Sequence, residues 1–336
     1  AAYLASAEAS IGSWLLGIAL TLLPASILSI TFVNWLVTQI VPPRVLPKFE
    51  FRKGIPKDCA TAVVTPVLVA NASDVPSLLQ RLEAHRLANP DAALQFVLLS
   101  DFADADSEDM PADDDITHAL VSGVDELNGR YPDAHGIFAP FSVTAGRIDA
   151  LRKCRFVVTA DADTRLPPGV VRRLVGTLAH PLNRAHFDPV SGRVERGYTI
   201  IQPRVELAPD TAGQSLFSRF YGGDTAIDIY SRAVSDVYQD LLGSGVFVGK
   251  GIYEVAPFER SLEGRVPENT LLSHDLFEGL HGRAALASDI IVYEGFPTGY
   301  LDFAWRWHRW VRGDWQILPW LFPFVPGRDG RWLRNR

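Results

Sequence analysis

The sequence predicts an α/β protein preceded by a membrane helix, and three observations support this fold class. Residues 11–41 contain no charged side chain. Beyond residue 60, short apolar runs alternate with segments of helical periodicity, which is typical of βαβ units and a parallel, doubly wound sheet. Hydrophobic residues make up 47% of the 336 residues and charged residues 21%, a composition of folded rather than disordered chains.

The uncharged stretch 11–41 is long enough to cross a membrane. As one helix it would measure roughly 46 Å at ~1.5 Å per residue, more than the ~30 Å of a hydrocarbon core. Pro24 leaves two possibilities: one tilted, kinked helix, or an interfacial piece followed by a span from Pro24 to Val41. A buried core helix is the alternative. A signal peptide is disfavoured, because the stretch lacks the basic start and the cleavage signal of such peptides. We therefore expect residues 1–43 to form a transmembrane or interfacial segment.

Basic residues follow this stretch, and the acidic Glu8 precedes it. The basic residues are Arg44, Lys48, Arg52, Lys53 and Lys57. The positive-inside rule therefore places the residues beyond 42 in the cytoplasm, on the inner side of a cytoplasmic membrane.

Periodicity and end signals divide the rest of the chain into strands and helices. The first half is expected to contain strands at 60–70, 94–102 and 155–160 and helices at 73–90, 116–131 and 167–181. The second half is expected to contain strands at 197–207 and 288–295, an extended segment at 245–258, and helices at 230–243, 272–286 and 300–322. We assign residues 44–315 to one cytoplasmic domain and 316–336 to a membrane-interface segment.

Charge and cysteine content exclude some classes of function. The net charge is -7, and nucleic-acid binding needs a basic face, so we expect no nucleic-acid partner. The cysteines are Cys59 and Cys154, whose spacing is not that of a metal site; a disulfide scaffold is excluded and a reducing compartment fits.

Two aspartates, Asp161 and Asp163, follow the expected strand 155–160 directly. Ligands of open parallel sheets bind beyond the carboxyl ends of the strands, and residues i and i+2 share a face if strand geometry persists. Neighbouring carboxylates repel each other unless something positive lies between them. We therefore expect Asp161 and Asp163 to hold Mg²⁺ or Mn²⁺ with a diphosphate; a surface acidic pair without a ligand is the alternative.

Asp101 ends the second expected strand and is predicted to lie beside Thr65 of the first, near the same edge of the sheet. Such an acid can bind the base or ribose of a nucleotide. The alternative is an aspartate that only forms a turn.

Asp275 lies at an expected helix start, after His274 and a polar loop. It is a candidate general base. The alternative is an acid that only favours the helix dipole.

The segment "WRWHRWVRGDWQ" places aromatic and basic residues on a helix. Arg309 and Arg312 lie three residues apart and share a face, as do Trp307 and Trp310. Arginine recognises phosphate well, and tryptophan stacks on sugar rings. The alternative is a membrane-interface helix with aromatic anchors; both functions are compatible.

Together, the motifs "DAD", "QPR", "GKG", "PENTLLSHDLFEGL" and "HRWVRGDW" resemble the glycosyltransferase domain of cyclic β-1,2-glucan synthases. The similarity runs from about Asn34 to the end and is interrupted around 140–150. The resemblance implies a GT-A type, Rossmann-like mixed sheet flanked by helices, and an inverting, metal-dependent enzyme. It also implies UDP-glucose as donor, a β-1,2-glucan acceptor, and further domains of a larger membrane-embedded synthase.

The resemblance assigns roles to the matching residues. Asp161 and Asp163 match the metal and diphosphate pair, and Asp275 matches the base of the cellulose synthase "TED" site. Arg309 and Trp310 match the "QxxRW" helix, but Arg306 stands where that motif has glutamine. The implied donor contacts are Thr65, Asp101, Asp161, Arg309 and Arg312. The implied acceptor contacts are Lys250 of the "GKG" loop, Trp307 and Trp310.

One departure concerns the donor side. Related enzymes carry a lysine-containing "RGK" helix before the DxD strand, and "HGIFAPFSVTAGRIDAL" contains nothing like it. We expect that a donor-binding segment near residues 141–142 is missing from this sequence.

Two rival functions remain. "FVVTADADTR" resembles the nucleophile motif of haloacid-dehalogenase-type phosphatases, with Asp161 phosphorylated and "GGDTAID" as a later motif. However, that motif has Thr or Val where Arg165 stands, and it leaves Asp275 without a role. The other rival is a non-catalytic, membrane-anchored module that binds nucleotide sugars.

Overall fold

The structure is a computed structural model, and it describes residues 10–103, 107, 110–130, 151–222, 236–265, 270–271, 274–328 and 331–335. The expected missing segment near residues 141–142 lies outside the described residues. So do the first six residues of the predicted helix 230–243.

The uncharged stretch forms one helix, α1 (Ile11–Ile40), which contains Pro24 and is capped by Ser10. Its mean hydropathy is 2.1, so length and composition make it a candidate membrane span. None of its most apolar window is buried, which excludes a buried core helix within the described chain. Hydroxyl groups in α1 donate to carbonyls of the preceding turn, for example Thr21 to Gly17 at 2.6 Å and Thr31 to Ile27 at 2.9 Å. Such bonds satisfy polar groups where water is absent.

The connector after α1 is bound to the domain that follows. The Arg44 N–H donates to Asp240 at 2.7 Å, and Lys48 pairs with Asp289 at 2.5 Å. The Phe49 N–H donates to the Gly176 carbonyl at 3.0 Å, and a Cβ on Gly176 would lie 2.4 Å from the Phe49 oxygen. The connector that follows α1 is therefore held to the domain by backbone and side-chain contacts.

The strands are β1 (Thr61–Val69), β2 (Leu94–Phe102), β3 (Phe156–Thr159), β4 (His186–Phe187), β5 (Val194–Arg196), β6 (Ile200–Leu207), β7 (Gly251–Glu254), β8 (Ala284–Glu294), β9 (Phe324–Pro326) and β10 (Trp332–Arg334). The main sheet has the order β2-β1-β3-β7-β6-β8. β1 pairs in parallel with β2 and β3, and β6 in parallel with β8, whereas β7 is antiparallel to both β3 and β6. The wholly parallel sheet predicted from the βαβ pattern is therefore wrong at β7, and the mixed sheet implied by the resemblance is confirmed.

The remaining helices are α2 (Val75–Ala88), α3 (Asp113–Arg130), α4 (Val170–Leu178), α5 (Pro209–Ala212), α6 (Leu216–Tyr221), α7 (Val237–Leu242), α8 (Val255–Leu262), α9 (Asp275–Gly282) and α10 (Tyr300–Gln316). Two predicted segments change type partway along. The extended segment 245–258 becomes helical at Val255, and the helix 272–286 ends at Gly282 because Arg283 takes a left-handed backbone with φ 54°. The predicted helix 300–322 ends at Gln316, before Pro319.

The sheet direction determines where the site forms. Because β7 runs opposite to β3 and β8, the start of β7 lies at the same edge as the carboxyl ends of β3 and β8. Buried residues of α2, α3 and α4 pack on this sheet, among them Leu79, Leu127 and Leu174. The packed core therefore supports one edge, to which β3, β7 and β8 contribute polar residues.

Candidate active site

The two aspartates predicted from the DxD pattern lie in a turn, not on a strand. β3 ends at Thr159, and the Thr164 N–H donates to the Asp161 carbonyl at 2.9 Å. The expectation that the pleat of a continued strand aligns Asp161 and Asp163 is therefore wrong. The turn brings their carboxylates together instead: ligand atoms of Asp161, Asp163 and Glu294 all lie within 4.8 Å of one another.

Glu294, the third acid, was missed by the sequence analysis. It is the last residue of β8, and it is 2% exposed. The Thr164 hydroxyl donates a hydrogen bond of 3.3 Å to Oε1 of Glu294. A signal was present, because an acid at the carboxyl end of a strand lies where ligands of such sheets bind. Placing it near Asp161 additionally required the order of the strands.

Lys250 connects two of these acids. It directly precedes β7, is 6% exposed, and its Nζ lies 2.6 Å from Glu294 and 3.0 Å from Asp161. Burial alone would lower the pKa of Lys250, but the charges of Glu294 and Asp161 outweigh it and raise the pKa. Lys250 is therefore charged at neutral pH and neutralises part of the acidic cluster.

Arg306 contacts the remaining acid. Its guanidinium, on α10, lies 3.3 Å from Asp163 Oδ2. Among the described residues, Arg309 and Arg312 form no ion pair with an acid, and both are exposed on α10. The departure from the "QxxRW" motif thus places a positive charge on the DxD turn. Arg309 lies one helical turn from Arg306 and so shares its side of α10.

The carboxylate cluster fits a hard divalent cation. Three carboxylates close together offer the oxygen ligands that Mg²⁺ and Mn²⁺ prefer. Three negative charges face the two positive charges of Lys250 and Arg306, which leaves a net negative charge. A divalent ion would have to displace or share oxygens with these two side chains.

Asp275 is placed beside the cluster. It is the first residue of α9, so the predicted helix start is confirmed. Gly249 approaches its carboxylate: a Cβ on Gly249 would lie 2.9 Å from each oxygen, and its φ of +85° also favours glycine. Burial raises the pKa of Asp275, Lys250 opposes the rise, and Asp161 adds to it. The "GKG" loop therefore contacts the candidate base with Gly249 and the metal acids with Lys250.

Glu278 is a second acid that the sequence analysis missed. It lies one turn after Asp275 on α9 and is half-buried. Burial, together with the charge of Asp275, raises the pKa of Glu278 to about 7. Glu278 therefore changes charge within the physiological range.

We expect Glu278→Gln to stabilise the protein above neutral pH and to have little effect in mild acid. Folding raises the pKa of Glu278 from 4.5 to about 7, so the stability it contributes is present in acid and lost as the pH rises through about 7. The amide avoids this loss, which is ~3 kcal/mol at most. Thermal unfolding near pH ~5 and pH ~8 measures the difference, and an equal effect at both pH values would contradict the prediction.

The predicted proximity of Thr65 and Asp101 is wrong. Thr65 pairs with Leu98, and Asp101 pairs with Leu68. Successive residues of a strand point to opposite faces, so Thr65 and Asp101 lie on opposite faces as well as three positions apart. Thr65 is buried next to Ala160, which precedes the DxD turn, whereas Asp101 is exposed.

The tryptophans of α10 remain accessible. Trp307 is 51% exposed and Trp310 is 37% exposed. Trp307 also contacts Phe303 at 6.0 Å between ring centroids. Two indole rings near the Arg306 side of the site are thus available to a ligand.

Comparison with known proteins gives a family match. Residues 156–333 match the family model described as glycosyl transferase family group 2. This match includes the DxD turn, the "GKG" loop, Asp275, Glu294 and α10.

One curated relative is the cyclic beta-(1,2)-glucan synthase NdvB of Rhizobium meliloti (strain 1021). It is 38% identical over 361 residues, an alignment that covers 96% of this chain. The chain spans 13% of the length of that relative.

Solved structures with weaker similarity include two synthases. Mannosyl-3-phosphoglycerate synthase from Rubrobacter xylanophilus is 17% identical, with a TM-score of 0.35, over 77% of this chain and 74% of that one. Glucosyl-3-phosphoglycerate synthase from Mycobacterium tuberculosis, solved with Mn2+, UDP-glucose and phosphoglyceric acid, is 13% identical, with a TM-score of 0.34, over 79% of this chain and 83% of that one. TM-scores this low support no detailed superposition.

Proposed function

The chain belongs to glycosyl transferase family group 2, and on this premise we propose that it transfers glucose from UDP-glucose to a growing β-1,2-glucan with inversion at the anomeric carbon. The similarity to a cyclic beta-(1,2)-glucan synthase over 96% of the chain supports this product. The enzyme is proposed to depend on Mg²⁺ or Mn²⁺.

Family membership removes the two rival functions. The matched residues include Asp161, so this aspartate belongs to a glycosyltransferase and not to a phosphatase nucleophile motif. A non-catalytic binding module does not fit the family either. The phosphatase and binding-module interpretations are therefore both wrong.

The observation that carries the proposal is the position of Asp275 next to the carboxylate cluster. Gly249 contacts the carboxylate of Asp275, and the next residue, Lys250, bridges Asp161 and Glu294. Two consecutive residues of one loop thus approach the candidate base and the candidate diphosphate site, respectively. Inverting transfer needs a base and a leaving-group site within reach of one sugar ring, and this proximity supports the proposal.

The proposed reaction is a single displacement. The 2-hydroxyl oxygen of the glucan end forms a bond to the anomeric carbon of glucose, the bond from that carbon to the UDP oxygen breaks, and UDP leaves with the bonding electrons. The hydroxyl proton passes to the carboxylate of Asp275. A general base of this kind contributes ~10²–10⁴ in rate, and its raised pKa makes the ionised form a stronger proton acceptor.

Positive groups stabilise the leaving UDP. Asp161, Asp163 and Glu294 would hold the divalent ion, which would neutralise charge on the diphosphate. Arg306 lies at the DxD turn, and Arg309, on the same side of α10, is proposed to contact phosphate oxygens. Arg312 is proposed as a further phosphate contact, and the exposed Asp101 as a contact to the nucleoside.

The acceptor is proposed to bind on the α10 side. Trp307 and Trp310 expose indole faces that can stack on glucose rings. Lys250 follows Gly249, which approaches the Asp275 carboxylate, and is proposed to orient the sugar end. The same aromatic surface, with the segment 316–336, is proposed to contact lipid.

The proposal is tested by incubating membranes that carry the full-length protein with labelled UDP-glucose and Mg²⁺ or Mn²⁺. We expect label in a β-1,2-glucan and no label after EDTA treatment. Release of free glucose without polymer, or equal transfer from other nucleotide sugars, would contradict it.

We propose that the active site faces the cytoplasm at the inner membrane of a bacterium. The basic residues beyond α1 support this topology. In Lys53→Cys, we expect a membrane-impermeant thiol reagent to label the exposed position 53 after cells are broken but not in intact cells. The parent protein controls for Cys59 and Cys154, which are buried and half-buried. Labelling of Lys53→Cys in intact cells would reverse the topology.

A further inference from the structure

A row of polar side chains on α2 lies against the backbone of the DxD turn. The row consists of Arg81, His85 and Asn89, which are four residues apart and therefore share one face of the helix and its end. His85 and Asn89 are 5% and 3% exposed. Buried polar side chains of this kind are costly unless they bond to a partner.

The partners are backbone groups along the turn and the residues after it. The Arg81 guanidinium donates to the Ala162 carbonyl, and His85 Nε2 lies 3.0 Å from the Thr164 carbonyl. Asn89 accepts from the Val171 N–H at 3.2 Å. A carbonyl can only accept, so Nε2 of His85 carries the proton, and burial lowers the pKa of this histidine and keeps it neutral.

Only a few covalent or hydrogen bonds separate these backbone groups from the three carboxylates. Ala162 lies between Asp161 and Asp163, so its peptide orientation affects both side chains. Thr164, whose carbonyl accepts from His85, donates its hydroxyl to Glu294 at 3.3 Å. Two contacts from α2 thus fix the backbone that carries two of the acids and the donor to the third.

Fixing the backbone of the DxD turn opposes the repulsion between its carboxylates. The ligand atoms of the three carboxylates lie within 4.8 Å of one another, and Lys250 and Arg306 neutralise only part of their charge, so a turn without further support would relax by moving the carboxylates apart. Held together, the same carboxylates form a cation site whose geometry exists before the ion arrives. Groups that orient metal ligands from behind typically contribute 10–100-fold to metal affinity, an order-of-magnitude expectation.

We propose that His85, assisted by Arg81, is a positioning residue that holds the DxD turn in the conformation required for divalent metal binding. This inference rests on the proposed metal dependence of the enzyme. It assigns a role to a helix that contributes no residue to the site itself.

The test measures Mn²⁺ affinity of the purified full-length protein by electron paramagnetic resonance, without donor. His85→Leu removes the donor at similar volume, and we expect Mn²⁺ to bind ~10-fold or more weakly. In His85→Gln the amide can donate to the Thr164 carbonyl, so most of the affinity should return. Leu82→Ala is the matched control, because it removes a buried contact on the same helix; it should lower the unfolding temperature without changing Mn²⁺ affinity.

The outcomes separate the inference from the proposed function. If the parent protein binds no Mn²⁺, the metal assignment fails and the inference fails with it. If the parent binds Mn²⁺ and folded His85→Leu binds it equally tightly, the inference alone is wrong and His85 only stabilises the fold. Equal losses in His85→Leu and Leu82→Ala would also overturn it.

Discussion

In Asp275→Asn, glucosyl transfer is expected to fall by ~10²-fold or more, while the affinity for UDP stays within a few-fold of the parent. Asparagine has the shape of aspartate but cannot accept the proton of the attacking hydroxyl. It is also tolerated at a helix start, so α9 should lose less than ~1 kcal/mol. The measurement is a pair on one preparation: the initial rate of β-1,2-glucan formation and the binding of UDP.

A matched control is available in Asp114→Asn. Asp114 lies in the first turn of α3, is exposed, and undergoes the same chemical change at a helix start. If Asp275 only stabilises a helix, the two variants should behave alike and both should remain active. Activity of Asp275→Asn near the parent level would leave the enzyme without an identified base.

The pH dependence of the rate provides a further check on Asp275. Because burial raises its pKa, the carboxylate is protonated at a higher pH than an exposed aspartate would be. The rate should therefore rise with pH as Asp275 ionises. In Asp275→Asn the residual rate should no longer follow this ionisation.

The second large effect is expected in Asp163→Asn. Removing one of three carboxylates removes a ligand and one negative charge next to a divalent ion, an interaction of several kcal/mol at ~4 Å. We expect metal-dependent UDP affinity to fall by ~10-fold or more, with transfer lost in parallel. Calorimetry of UDP with Mn²⁺ and with EDTA measures the effect: the difference between the two conditions should shrink in the variant.

One outcome would contradict the prediction for Asp163→Asn. UDP affinity that is unchanged by both Asp163→Asn and EDTA would remove the metal from the mechanism. Asp114→Asn again serves as the control, because it changes an acid that is remote in sequence and exposed. Glu294→Gln should resemble Asp163→Asn, since Glu294 belongs to the same cluster.

The DxD turn could be predicted because its evidence is local. An apolar strand followed by two acids is visible within about ten residues, and the carboxyl edge of a sheet is the expected ligand site. The strand bounds 94–102 agree with the structure for the same reason. The orientation of the two acids could not be predicted, because a turn and not the pleat of β3 determines it.

The partners of these acids are distant in the chain. Glu294 is more than a hundred residues from Asp163, and the two meet because Arg165, just after the DxD turn, forms an antiparallel backbone bridge with Tyr293, the residue before Glu294. Nothing in the periodicity of residues 251–254 shows that β7 runs antiparallel. Lys250 was assigned to the acceptor from the resemblance, whereas the structure places its ammonium on Asp161 and Glu294.

Register explains the clearest local error. A one-residue change of pairing moves a side chain to the other face of a sheet. The bounds of β1 and β2 were close to correct, yet Asp101 and Thr65 lie on opposite faces because Thr65 pairs with Leu98. Pairing offsets depend on how helix α2 returns the chain, and composition does not encode that offset.

The most direct test of the central claim is the structure of the bond that the enzyme makes. Nuclear magnetic resonance of the polymer formed from UDP-glucose labelled at the anomeric carbon reports both linkage and configuration. We predict that the labelled carbon is joined to the 2-position of the next glucose in the β configuration, and that Asp275→Asn yields almost none of this product. An α configuration would contradict inversion, another linkage would contradict the acceptor, and abundant β-1,2 product from Asp275→Asn would contradict the base.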